Sequence, residues 1–185
     1  MSNTPALVHT GTCYAFVAWI IKRSKFETLR CTLTEFWLLF SSYGLLGQRY
    51  IATIGVDYGV KPHTIGGQSV RVNFWDLSGH AEFAEVREEF YKDTQGLVLV
   101  FDVGNTASFQ ALDAFMTEAK ANGYPTGNVP GALCANKCDT RRTVSEAEGR
   151  DFARKHGLGY FETSAATGAL VNEMFEYVFN EVAKR

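Results

Sequence analysis

From Tyr50 to the end of the chain, segments of period two alternate with segments of helical period. That alternation restricts the fold to an α/β sheet with helices packed on its faces. The most constrained element is Leu97–Phe101, apolar without a break and ending at Asp102. A strand apolar at every position must be covered on both faces, so it predicts an internal, parallel strand.

The neighbouring elements follow from their own patterns. A β-branched stretch from Ile51 to Val60, a Gly66-Gly67 pair, and Val70, Val72 and Phe74 at period two predict a hairpin whose second strand runs into Asp76. Phe109, Leu112, Met116 and Ala119 fall at helical spacing between Asn105 and Gly123, with Asn or Thr to cap the start. A short strand, Gly131 to Ala135, delivers Asn136-Lys137-Cys138-Asp139 to its carboxyl end, where open α/β sheets bind ligands. Ser145 and Glu148 form a capping box for a helix that Gly157 closes, and a strand over Tyr160–Thr163 follows. The final helix carries Val171, Met174, Phe175, Val178 and Val182 on one face. No repeat or low-complexity segment interrupts the order.

Residues 1–48 have a different character. Tyr14–Ile21 has the composition of a buried strand, and Phe36, Leu39, Phe40 and Tyr43 form one possible helix face. Lys22-Arg23-Ser24-Lys25 then reads as a solvated loop after the strand. Eighteen basic and twenty acidic residues give a net charge of -2 with no single-sign run, so neither nucleic acid nor anionic lipid is an expected partner. The longest apolar run, Cys13–Ile21, is less than half of the roughly 20 residues a membrane span requires. Four cysteines without a CxxC pair, and no leader pattern ahead of the apolar run, fit free thiols in a reducing cytoplasm.

Four segments make the chain from Arg49 onward similar to the Ras superfamily. They are Tyr50–Tyr58 (YIATIGVDY), Asp76–His80 (DLSGH), Glu89–Gly96 (EFYKDTQG) and Glu162–Ala165 (ETSA), joined by the Asn136–Asp139 segment. The fit is closest to Rab proteins and, among them, to the Rab J-like subgroup. The resemblance implies a P-loop NTPase-like fold, a mostly parallel sheet with helices on both faces, here with the first strand and P-loop absent or replaced. It implies a guanine-nucleotide switch in signalling or trafficking that binds GTP or GDP with Mg²⁺ and meets protein effectors through two nucleotide-sensitive loops. Asp139 would accept two hydrogen bonds from guanine, Lys137 would cover the base, Asn136 would brace adjacent loops, and the Ser164-Ala165 loop would meet the guanine carbonyl. Adenine offers Asp139 no matching donors, and sites built on polar pairing reject such analogues by about 10⁴ to 10⁵. Thr53 and Asp76 would hold the metal, with Gly79 close to the γ-phosphate. His80 stands where most relatives carry the glutamine that orients the attacking water. Imidazole cannot reproduce an amide's paired donor and acceptor, so slow hydrolysis is expected.

The departure from the family lies in residues 1–48. A P-loop needs GxxxxGK followed by Ser or Thr, so that backbone N–H groups wrap the phosphates. No Gly-Lys dipeptide occurs in the sequence, and at family spacing the text is Leu33-Thr34-Glu35-Phe36-Trp37. Nucleotide binding is therefore expected to be impaired. Two readings stand side by side: an exchanged or mis-spliced N-terminal segment joined to a Rab-like domain at 49–185, or a pseudo-GTPase that works as a nucleotide-independent interaction module. No cysteine follows Cys138 and no His-Pro-Asp triplet is present, so neither a terminal prenyl anchor nor a J domain is expected in a monomeric chain.

Overall fold

The structure is a computed structural model that describes residues 17–24, 53–65, 68–125 and 129–185. Among them, β1 (Val17–Ser24), β2 (Val56–Ile65), β3 (Gln68–Ser78), β4 (Gly96–Asp102), β5 (Gly131–Asn136) and β6 (Gly159–Glu162) form one sheet in the order β2-β3-β1-β4-β5-β6. A 3-10 turn (Ala81–Phe83) leads into the short helix α1 (Ala84–Glu88). The longer helices are α2 (Thr106–Ala121), α3 (Glu146–His156) and α4 (Val171–Ala183).

The uninterrupted apolar run does what its composition dictates. Leu97, Leu99 and Phe101 face a core shared with Leu112, Phe115 and Met116 of α2 and Phe152 of α3. Val98 and Val100 face the other layer, with Met174, Phe175, Val178 and Phe179 of α4. Each such buried side chain stabilises the fold by about 1.5–3 kcal/mol relative to exposure. The α/β sheet with a helix layer on each face is thus the expected architecture.

Local signals set the boundaries. The Asn105 side chain caps α2 by accepting from the Ala107 and Ser108 N–H groups. Ser145 and Glu148 make the reciprocal capping box, and Gly157 ends α3 at φ 69°. The hairpin forms with Ile65 opposite Gln68; the Gly66-Gly67 pair lies outside the described residues, as does the possible helix over Phe36–Tyr43. Strand β2 begins later than its β-branched pattern suggests, at Val56, because Thr53–Gly55 belong to the loop beside Asp76 and Ser78.

The direction of β1 is the feature that departs most from a family sheet. It fills the centre of the sheet, but pairs antiparallel with both β3 and β4. Strands β3, β4, β5 and β6 point one way, since β4-β5 and β5-β6 pair parallel. Val17 therefore sits at their carboxyl edge, opposite Ser78 and Val100, while Ser24 lies opposite Arg71 near the amino edge. At ~3.3 Å per residue these two ends are separated by roughly 23 Å. Lys22–Ser24 consequently belong to the strand, in register with Asn73, Val72 and Arg71, and not to a loop after it; Lys25 is outside the described residues.

Candidate functional site

Because β3, β4, β5 and β6 share a direction, the loops leaving their carboxyl ends gather along one edge. That edge brings together Asp76–His80, Asp102, Asn136–Asp139 and Thr163–Ala165.

At the end of β5 the chain turns sharply at Lys137, whose φ of 62° is left-handed. For a residue with a side chain this costs about 1–2 kcal/mol. Three contacts fix the turn: Cys138 N–H donates to the Thr163 carbonyl at 3.0 Å, and Thr140 donates to the Lys137 carbonyl from its N–H (2.9 Å) and its hydroxyl (2.8 Å). Asn136 Oδ1 accepts from the Ala165 N–H at 3.1 Å and from the Thr163 hydroxyl at 3.4 Å. Asn136 is thus the expected brace between two loops. It also holds the N–H expected to meet guanine, so a base there must share that donor. Ser164 is fully buried and accepts from the Thr167 N–H at 3.1 Å, which shapes the same loop from the other side.

The Asp139 side chain is exposed and makes no hydrogen bond or ion pair with another described residue, which leaves its carboxylate able to accept from a base. Lys137 Nζ lies 2.7 Å from Asp102 Oδ2, whose other oxygen accepts from the Gly104 N–H at 2.8 Å. Asp102 was not among the expected site residues. Its signal was available, because the register places it beside Asn136 on neighbouring parallel strands.

On the other side of β1, the Thr53 hydroxyl donates to Asp76 Oδ2 at 2.9 Å, joining residues 23 positions apart. A hydroxyl and a carboxylate side by side offer the hard oxygen donors that Mg²⁺ prefers. Gly79 follows, between Ser78, whose N–H donates to the Gly55 carbonyl at 2.9 Å, and His80. His80 is about half exposed, with Nδ1 3.9 Å from Glu82 Oε1. Burial pushes the Cys134 thiol up to about 12, against the contact with the Thr163 hydroxyl, so it is no nucleophile at neutral pH. Arg87, buried and bonded to the Gly79 loop, is a second residue the sequence concealed.

The residues present fit a guanine base and, in Thr53 and Asp76, part of a Mg²⁺ shell. For the phosphates, the described residues offer no P-loop. A P-loop follows the carboxyl end of a strand parallel to its neighbours, whereas the carboxyl end of β1 lies at the opposite edge of the sheet. No group of three or more His, Cys, Asp and Glu able to hold a metal is present among the described residues, and no described helix is long and apolar enough to cross a membrane.

Comparison with known proteins identifies the family. The Ras family model matches residues 39–184. DnaJ homolog subfamily C member 27 of Gallus gallus is 48% identical over 139 residues, which is 72% of this chain and 51% of that protein. The Homo sapiens protein of the same name is 50% identical over 133 residues, 69% and 49% of the two lengths, and that of Danio rerio is 47% identical over 139. The chain spans about half the length of these curated relatives. With the family model matched across most of its length, the chain belongs to the Ras family of small GTPases.

Proposed function

We propose that this is a Rab-like member, of the Rab J-like kind, whose guanine-reading half is intact and whose phosphate-holding half is replaced. The observation that carries the reading is the reversed β1, which points its carboxyl end away from Asp76, Asn136 and Asp139. Charge-assisted hydrogen bonds contribute about 1.5–3 kcal/mol each, so losing three weakens binding by roughly three to six powers of ten. GTP, GDP and Mg²⁺ are then weak ligands of this chain, and His80 makes it a poor hydrolase at best.

A second reading, a nucleotide-independent interaction module in signalling or trafficking, is favoured by a specific surface. Ile54, Tyr58 and Val86 are large apolar side chains left exposed, with Ile54 directly after Thr53 and Val86 directly before Arg87. The Tyr58 ring packs tilted against Trp75, with 4.4 Å between centroids, and Trp75 packs tilted against Phe90 at 5.1 Å. Such a surface suits a protein effector. The free thiols of Cys134 and Cys138 suit a reducing, cytoplasmic setting. Chromatography of the nucleotide released on denaturing freshly purified protein tests the first reading. Substoichiometric guanine nucleotide is expected; one guanine nucleotide per chain would refute it.

A further inference from the structure

The loop that carries Gly79 is held by a buried charge. Arg87 is 4% exposed, although it lies in the acidic run Glu85–Glu89. Its Nε and Nη2 donate to the two carboxylate oxygens of Glu118 on α2, at 2.8 and 2.6 Å. Its Nη1 donates to the carbonyls of Ser78 and His80, each at 2.7 Å. The Tyr91 hydroxyl donates to Glu118 Oε1 at 2.6 Å and completes the cluster. The two bonded carbonyls flank Gly79, so one guanidinium ties both sides of this glycine to a helix of the core layer.

We propose that Arg87 is a positioning residue that latches the Gly79 loop to α2 through Glu118 and holds it in one conformation without a bound phosphate. The latch rests on Gly79 being the family's phosphate-facing glycine, but not on the strength of nucleotide binding. Only a planar fork can grip a carboxylate with two nitrogens and two carbonyls with the third; lysine, a point charge, cannot. Burial opposes both charges. The Glu118 carboxyl is nevertheless held below its ordinary range, because the hydrogen bonds from Arg87 and Tyr91 outweigh its burial. Opening the loop would strand a guanidinium and two carbonyls out of water, which a buried pair resists far more than a surface one. The consequence is a surface, including Val86 and Ile54, that a partner meets in a single state.

Amide hydrogen exchange of the nucleotide-free full chain tests the latch, comparing it with Arg87→Lys and Glu118→Gln. The amides of Phe83 and Ala84, bonded to the carbonyls of His80 and Ala81, report on the loop. Peptides covering residues 79–90 should exchange at least tenfold faster in both variants, with β4 and β5 unchanged. Equal exchange in folded variants would overturn the proposal. So would the same acceleration in β4 and β5, which would make the cluster an ordinary part of the core. Should Arg87→Lys fail to fold, Glu118→Gln carries the comparison alone. Because no nucleotide enters the assay, its failure is separate from any failure of the nucleotide reading.

Discussion

Asn136 and Asp139 sit three positions apart, one bonded between two loops and the other exposed, and their alanine variants should separate stability from the proposed recognition of guanine. Asn136 Oδ1 accepts from the Ala165 N–H and the Thr163 hydroxyl. The hydroxyl keeps its 2.8 Å contact with Cys134 Sγ when Asn136 is truncated, so the loss falls mainly on the Ala165 N–H. A net hydrogen bond is worth about 0.5–1.5 kcal/mol, and Ala165 is only partly buried, which lets water reach the freed donor. Asn136→Ala should therefore cost about 1 kcal/mol. For a chain of this size that lowers the melting temperature by roughly 2–4 °C. Asp139→Ala removes an exposed carboxylate with no bonded partner among the described residues and should stay within ~0.5 kcal/mol. Urea titrations and amide exchange at Ala165 measure both. Equal stability of the two variants, or unaltered Ala165 exchange in Asn136→Ala, would refute the brace.

Three further outcomes follow from named contacts. In a chimera whose first 48 residues are exchanged for a family P-loop segment, Asp139→Asn should shift preference from guanine to xanthine nucleotides, because the base must then present a carbonyl to the new amide; competition binding decides it. Gly149→Ala should lower the urea midpoint, since a Cβ there would lie 2.5 Å from the Tyr160 ring, an overpacking cost of about 1–3 kcal/mol; a folded variant at the native midpoint would show that the ring moves freely. Glu118 is held below its ordinary value of 4.5, so its contribution is complete above that value and is lost as pH falls through the depressed one; acid unfolding curves should show a steeper loss in the native chain than in Glu118→Gln.

Much of the fold was legible because its signals are local. The Ser145–Glu148 box, the Gly157 terminator and the apolar stripe of α4 each lie within one or two helical turns. Strand direction is not local. A period of two reads the same from either end, so the pattern around Tyr14–Ile21 predicts a strand and says nothing of its polarity. Its pairing against both β3 and β4 is a tertiary outcome. The Asn136–Asp139 loop was legible from a strand followed by a known motif, whereas Arg87 was hidden in an acidic run that reads as a solvated face. Its partner Glu118 lies 31 residues away on another helix, with no sequence spacing to connect them.

The central claim, a guanine reader without a phosphate grip, is tested most directly by calorimetry. Mg-GTP, Mg-GDP and guanosine would be titrated in turn into the 185-residue chain, with circular dichroism confirming that it is folded. On the proposed reading the phosphates add little to the base: all three should bind weakly, above about 100 μM, and within roughly tenfold of one another. Submicromolar binding of Mg-GTP by folded protein, with guanosine far weaker, would contradict the account and show that the phosphates are held after all.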